Sequence, residues 1–160
     1  MSIYSNIQQK LTEYRTQQEL YWNDLERRIN FFSPELVSYL GVDGLDLRDR
    51  EDKKHQIVIV GLKEGNHVQR FPPFRFEKIE GKQKSLHFYV QVNLSAYGSE
   101  ILDCAMIFEC YFSRTGSDYT INISGKDVEC AKNNELTDFT KVFEFIVSKL
   151  EELVDKSRYE

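Results

Sequence analysis

Leu86-His87-Phe88-Tyr89-Val90-Gln91-Val92-Asn93-Leu94 is the stretch whose reading decides the fold. Leu86, Phe88, Val90, Val92 and Leu94 alternate with His87, Tyr89, Gln91 and Asn93, the period of two that a half-buried strand requires. The parity continues beyond a loop at Ala96-Tyr97-Gly98-Ser99. Glu100 to Ser113 sets Leu102, Cys104, Met106, Phe108, Cys110 and Phe112 on one face. After Arg114-Thr115-Gly116-Ser117, the segment Asp118 to Ser124 offers Tyr119, Ile121 and Ile123. Placing Leu94 opposite Glu100 brings Val92 to Leu102 and Phe88 to Met106. Placing Phe112 opposite Tyr119 brings Cys110 to Ile121. Apolar meets apolar in both hairpins, so the pattern predicts an antiparallel meander.

Upstream, Gln56 to Leu62 is a continuous apolar run and predicts an interior strand. Val68 to Ile79 is extended but broken by Pro72-Pro73, which confines it to an edge or a bulge. Val128 and Cys130 begin a last short strand, for about five strands in all.

Helices flank this block. From Ser5, the predicted N-cap, to Asn30, the residues Ile7, Leu11, Tyr14, Tyr21, Leu25 and Ile29 form one stripe, with Gln18 filling the gap. Such a helix is about 40 Å long, wider than a compact domain of this size, so one end overhangs or pairs with another chain. A homodimer through residues 5–30 is one consequence. Ser33-Pro34-Glu35 reads as N-cap, first helical position and a favourably placed acid, and Gly41 as the stop. Val37 or Leu36, with Leu40, is its buried pair. Thr137 to Lys156 carries Phe139, Phe143, Ile146, Val147, Leu150 and Val154 on one side, with Asp138 at the positive end and Lys156 and Arg158 at the negative end. This helix is predicted to pack on the sheet. The class is α+β, and residues 1–160 read as a single domain.

The chain has 160 residues, 21 Lys and Arg against 26 Asp and Glu; a net charge of −5 argues against a generic polybasic nucleic-acid binder. The opening Met1-Ser2-Ile3-Tyr4-Ser5-Asn6 lacks the basic start and apolar core of a secretory signal. No apolar run approaches the ~20 residues of a membrane span. Cys104, Cys110 and Cys130 make a poor disulfide framework. Cys104 and Cys110, on one strand, stand roughly 20 Å apart. All three are expected as reduced, mostly buried thiols in a cytoplasmic protein.

Motifs for phosphate binding (GxGxxG, GxxxxGK[ST]), zinc proteolysis (HExxH) and the esterase nucleophile (GxSxG) are absent, and His55, His67 and His87 are scattered. No cofactor or metal is expected, and the reading leans against an enzyme. One constellation stands out. His87, Tyr89, Gln91 and Asn93 share a face with Tyr111, and the register above puts Gln91 opposite Asp103 and Ser85 opposite Glu109. A histidine beside carboxylates can bind a ligand or transfer protons. Ile101, Ala105 and Ile107 make this face partly apolar, so something covers part of it.

Charge is unevenly spread. Lys63, Arg70, Arg75, Lys78, Lys82 and Lys84 interleave with Phe71, Phe74 and Phe76, a pattern that stacks on single-stranded nucleic acid but equally describes a guarded edge strand. Acids dominate Asp43–Asp52 and Asp127–Asp138. These two segments complement a basic protein partner, with Asp46, Asp49, Glu51, Asp52, Glu129 and Glu135 as contacts and Tyr97 or Tyr119 as aromatic anchor. The hairpin around Leu86–Phe112 resembles the strands of SecB-type export chaperones, whose pattern has no place for the long leading helix; no residue is carried across.

The sequence therefore favours a non-enzymatic protein-binding module, most concretely an acidic inhibitor or immunity-type protein that neutralises a basic partner such as a toxin. A chaperone or assembly subunit dimerising through its first helix is the alternative. A small ligand binder or enzyme using His87, Asp103 and Glu109 is the third.

Overall fold

The computed structural model describes residues 2–81 and 83–160; Met1 and Lys82 of the basic segment lie outside them. Helix α1 spans Ile3–Ile29. Its N-cap is Ser2, whose side chain accepts from the Ser5 amide, so Ser5 sits inside the first turn. Helix α2 spans Phe32–Leu40 and stops at Gly41, whose φ of 73° is the left-handed conformation a C-cap glycine supplies. The residue flanking its start is Phe31 and not Ser33, because Phe32 and Leu36 are its fully buried pair.

Asp46–Arg48 (β1) and Lys54–Gln56 (β2) pair as a hairpin. Then follow β3 (Val58–Glu64), β4 (His67–Arg70), a 3-10 turn at Pro73–Arg75 and β5 (Glu77–Ile79). The two prolines thus split the predicted edge strand in two. The meander proper is β6 (Ser85–Leu94), β7 (Cys104–Thr115), β8 (Asp118–Ile123) and β9 (Lys126–Cys130). Helix α3 covers Thr140–Leu153, shorter than predicted because Leu136–Thr137 pairs with Lys132–Asn133. Asp138 accepts from the Thr140 amide at its start, and Arg158 donates to the Leu153 carbonyl at its end.

The fold is α+β: seven antiparallel strands in the order β4-β3-β6-β7-β8-β9, with β5 sharing the β6 edge with β3. Face assignments from the sequence hold, but both hairpin registers slip by an even number of residues. Leu94 pairs with Cys104, not Glu100, and Phe88 with Cys110. The cause is the diversion of Glu100–Leu102 to β1: Arg48 donates to the Glu100 carbonyl and the Leu102 amide to the Arg48 carbonyl. Phe112 pairs with Ile121 because the next turn is a tight two-residue Gly116-Ser117, with Gly116 at φ 63°. Ser124-Gly125, both at positive φ, makes a further two-residue hairpin into β9.

One sheet face is packed. Phe88, Phe108, Phe112, Ile121 and Ile123 are fully buried there beneath Leu25, Ile29, Phe32, Leu36, Val142 and Ile146 from the three helices. Phe32 is the hub, with ring centroids 5.2 Å from both Phe139 and Phe143 and 5.9 Å from Phe88. Burying such a ring contributes on the order of 2–3 kcal/mol. Cys110 and Cys130 are buried, but Cys104 is exposed, because it stands at the open start of β7.

Asp24 pins α1 to this layer. Its carboxylate accepts from Arg27 and Arg28 on its own helix, and from Arg114 and Tyr119 on the sheet. Arg28 continues to the Leu136 and Asn134 carbonyls and lies over the Tyr119 ring. Burial alone would raise the Asp24 carboxyl; the bonds from Tyr119, Arg114 and Arg28 outweigh it and hold it at about 2.

Candidate functional site on the open sheet face

Among the described residues no helix lies on the opposite face, and the register sets its residues in rows across the strands. One row reads Glu77, His87, Tyr111, Asn122 and Asp127 from β5 to β9. The next reads Ile79, Ser85, Ser113, Thr120 and Glu129, and Tyr89 with Glu109 stands on the other side. At ~4.8 Å per strand, the first row runs about 19 Å from carboxylate to carboxylate.

His87 is the centre. Its Nδ1 lies 3.2 Å from Glu77 and its Nε2 3.1 Å from Glu109, and its ring stacks on Tyr111 at 4.5 Å. Tyr89 donates to the same Glu109 oxygen at 2.9 Å. That bond, followed by His87, holds the Glu109 carboxyl below its usual range. Desolvation and Glu109 push Tyr89 up to about 12, so its hydroxyl is a donor throughout neutral pH. The arrangement fixes an ionised acceptor between aromatic walls, which suits recognition of a cation better than nucleophilic attack. Among the described residues, no three His, Cys, Asp or Glu side chains are grouped to hold a metal ion.

Beside the stack, Ser85, Ser113, Thr120, Asn122, Asp127 and Glu129 line part of a shallow cleft of about 680 Å³. Two lysines of the surrounding strands point elsewhere: Lys78 pairs with Glu26, and Lys126 lies over Phe145 of α3. Lys63 is the basic side chain that acts on Glu109.

The remaining predicted residues are dispersed. Gln91 and Asn93 are buried, because the β3–β4 hairpin folds over them. The Val68 amide donates to Gln91, Gln91 to Asn93, and Asn93 to the Gln56 carbonyl. Gly61 permits this bend, since a Cβ there would collide with the Gln69 carbonyl. Asp103 misses the site: the register slip leaves it exposed before β7, with its amide on the Leu94 carbonyl and Ile107 opposite Gln91. Tyr119 is buried on Asp24 and presents nothing to solvent, whereas Tyr97 is fully exposed at a turn tip.

Among the acids, Asp49 is consumed by its own loop, accepting from the Glu51 and Lys53 amides and from His55. Asp52 pairs with Arg48, Glu51 with Lys53, and Glu135 with Arg27. Asp46 lies in a separate cleft beside α2. Within the β1–β2 hairpin Arg48, Lys53 and His55 thus take up Asp52, Glu51 and Asp49, while Lys54 stands opposite Arg48 and Asp46 opposite Gln56. Glu129 alone of this set joins the open face, where Glu77, Asn122 and Asp127 also stand. Those three were missed as site residues because only the cross-strand register brings them to His87.

Comparison with protein-family models, with characterised proteins and with solved structures gives no match for this chain. Among the described residues, no helix is long and apolar enough to cross a membrane.

Proposed function

We propose that this protein is a non-enzymatic protein-binding module that docks a basic partner on the open face of its sheet, in the manner of an inhibitor or immunity-type protein. The observation that carries the reading is the concentration of Glu77, Glu109, Asp127 and Glu129 around the His87–Tyr111 stack, with Lys78 and Lys126 turned to the helical side. Carboxylates beside aromatic faces receive arginine side chains by charge-assisted hydrogen bonds and cation–π contact. Like-signed carboxylates spread over such a face also steer a basic protein and reject an acidic one. A cytoplasmic setting, where thiols such as the exposed Cys104 stay reduced, is part of the proposal.

The test reverses the face without touching the His87 cluster. Wild type and an Asp127→Lys/Glu129→Lys variant are compared as bait in cross-linked affinity purification, with thermal melts to confirm equal folding. The expected outcome is one stoichiometric basic protein on wild type. Its affinity weakens on the order of tenfold or more in the variant and falls with salt. Uniformly acidic partners, or equal capture by both baits, sinks the reading.

A further inference from the structure

Roughly the first two thirds of α1, residues 3–20, leave the body of the protein: Tyr4, Ile7, Leu11 and Tyr14 are 69, 56, 52 and 52% exposed, and the first buried residue is Trp22. Tyr4, Ile7, Leu11, Tyr14, Gln18, Tyr21 and Leu25 recur at alternating steps of three and four, the spacing of a two-helix seam. An unpacked helix of this kind is marginal in water, because most helical stability comes from burying one face. Thr12 and Thr16, whose hydroxyls bond back to the Gln8 and Thr12 carbonyls, do not favour it by propensity. We propose that a second copy of this chain covers the seam, with its α1 running antiparallel.

Two independent features choose that arrangement. The first is charge. Lys10 and Arg15 flank the seam, and a parallel in-register pair sets Lys10 of each copy against Arg15 of the other, a repulsion made twice. Antiparallel, with Leu11 on Tyr14 of the second copy, Ile7 on Gln18 and Tyr4 on Tyr21, Lys10 meets Gln17 and Arg15 meets Gln8, and no like charges face each other. The second is length. The overhang is 18 residues from Ile3 to Leu20, about 27 Å at ~1.5 Å per residue. In that same register, each tip reaches the other copy's Tyr21, which is where the body begins. Two equal overhangs are covered end to end, and the two-fold closes the assembly. A seam of about five turns is small for a specific interface, so the pair is reversible and concentration-dependent. This inference stands apart from the proposed function: the open sheet face is not part of the seam.

Sedimentation of the full chain tests it first. A dimer that dissociates on dilution is expected. Leu11→Lys, at a position half exposed in the single chain, should weaken it on the order of a hundredfold, since two seam leucines are lost per pair, with an unchanged melting transition of the sheet. Orientation is read by disulfide trapping in a Cys104→Ser background. Leu11→Cys and Tyr14→Cys, purified separately and mixed, should give the mixed disulfide in preference to either homodisulfide. A monomer at every concentration, indifference to Leu11→Lys, or homodisulfides in place of the mixed species overturns the proposal.

Discussion

Leu25 and Leu11 occupy the same stripe of α1, yet Leu25 is fully buried against the sheet and Leu11 is 52% exposed. Their neighbours explain the difference. The second half of the helix carries Trp22, Ile29 and the Asp24–Arg28 pair, whose polar ends reach Arg114, Tyr119 and the 134–137 segment. In the first half, among the described residues, the polar side chains bond along the helix itself, as Arg15 does to Gln18. An apolar stripe shows that a face will be covered; the polar groups that can be satisfied across the contact decide by what.

The largest test of this contrast is Leu25→Ala. It leaves a cavity under α1 and is expected to lower unfolding stability by about 3 kcal/mol in denaturant titration. Acid comes next. The folded Asp24 carboxyl titrates at about 2 against an ordinary 3.8, so its contribution is present above about pH 4 and is lost as pH falls through 2. Because Arg27 and Arg114 approach it from the solvent side, that contribution is roughly 1–2 kcal/mol. It is read as the difference between the acid limbs of wild type and Asp24→Asn, and equal limbs would deny Asp24 its anchoring role. Smallest is Leu11→Ala. At a dilution where the chain is single, it should shift stability by no more than about 0.5 kcal/mol. A loss near that of Leu25→Ala would mean the first half is packed after all.

The open face shows how far parity carries. Alternation in Ser85–Leu94 and Cys104–Thr115 was legible, so His87, Tyr89, Glu109 and Tyr111 were correctly grouped on one side. Their partners were not. A slip of an even number of residues preserves every face and changes every neighbour. The slip arose from a contact between Glu100–Leu102 and Arg48, more than fifty residues away, which no local pattern encodes. Gln91 and Asn93 went the same way: polar by composition, they are buried because a hairpin bends at Gly61 and lends them backbone partners.

Periodicity and turn residues by themselves determined the α+β class, the three helices, the faces of the central strands and the stop at Gly41, because each depends on residues within a few positions of one another. Only the tertiary structure decided that Glu77, His87, Tyr111, Asn122 and Asp127 form one row, that Tyr119 is core, and that Asp49, Glu51 and Asp52 are held by His55, Lys53 and Arg48 of their own hairpin. These are outcomes of long-range pairing, where register and burial follow from which distant backbone and side-chain groups can be satisfied together, and a one-dimensional pattern carries no measure of that.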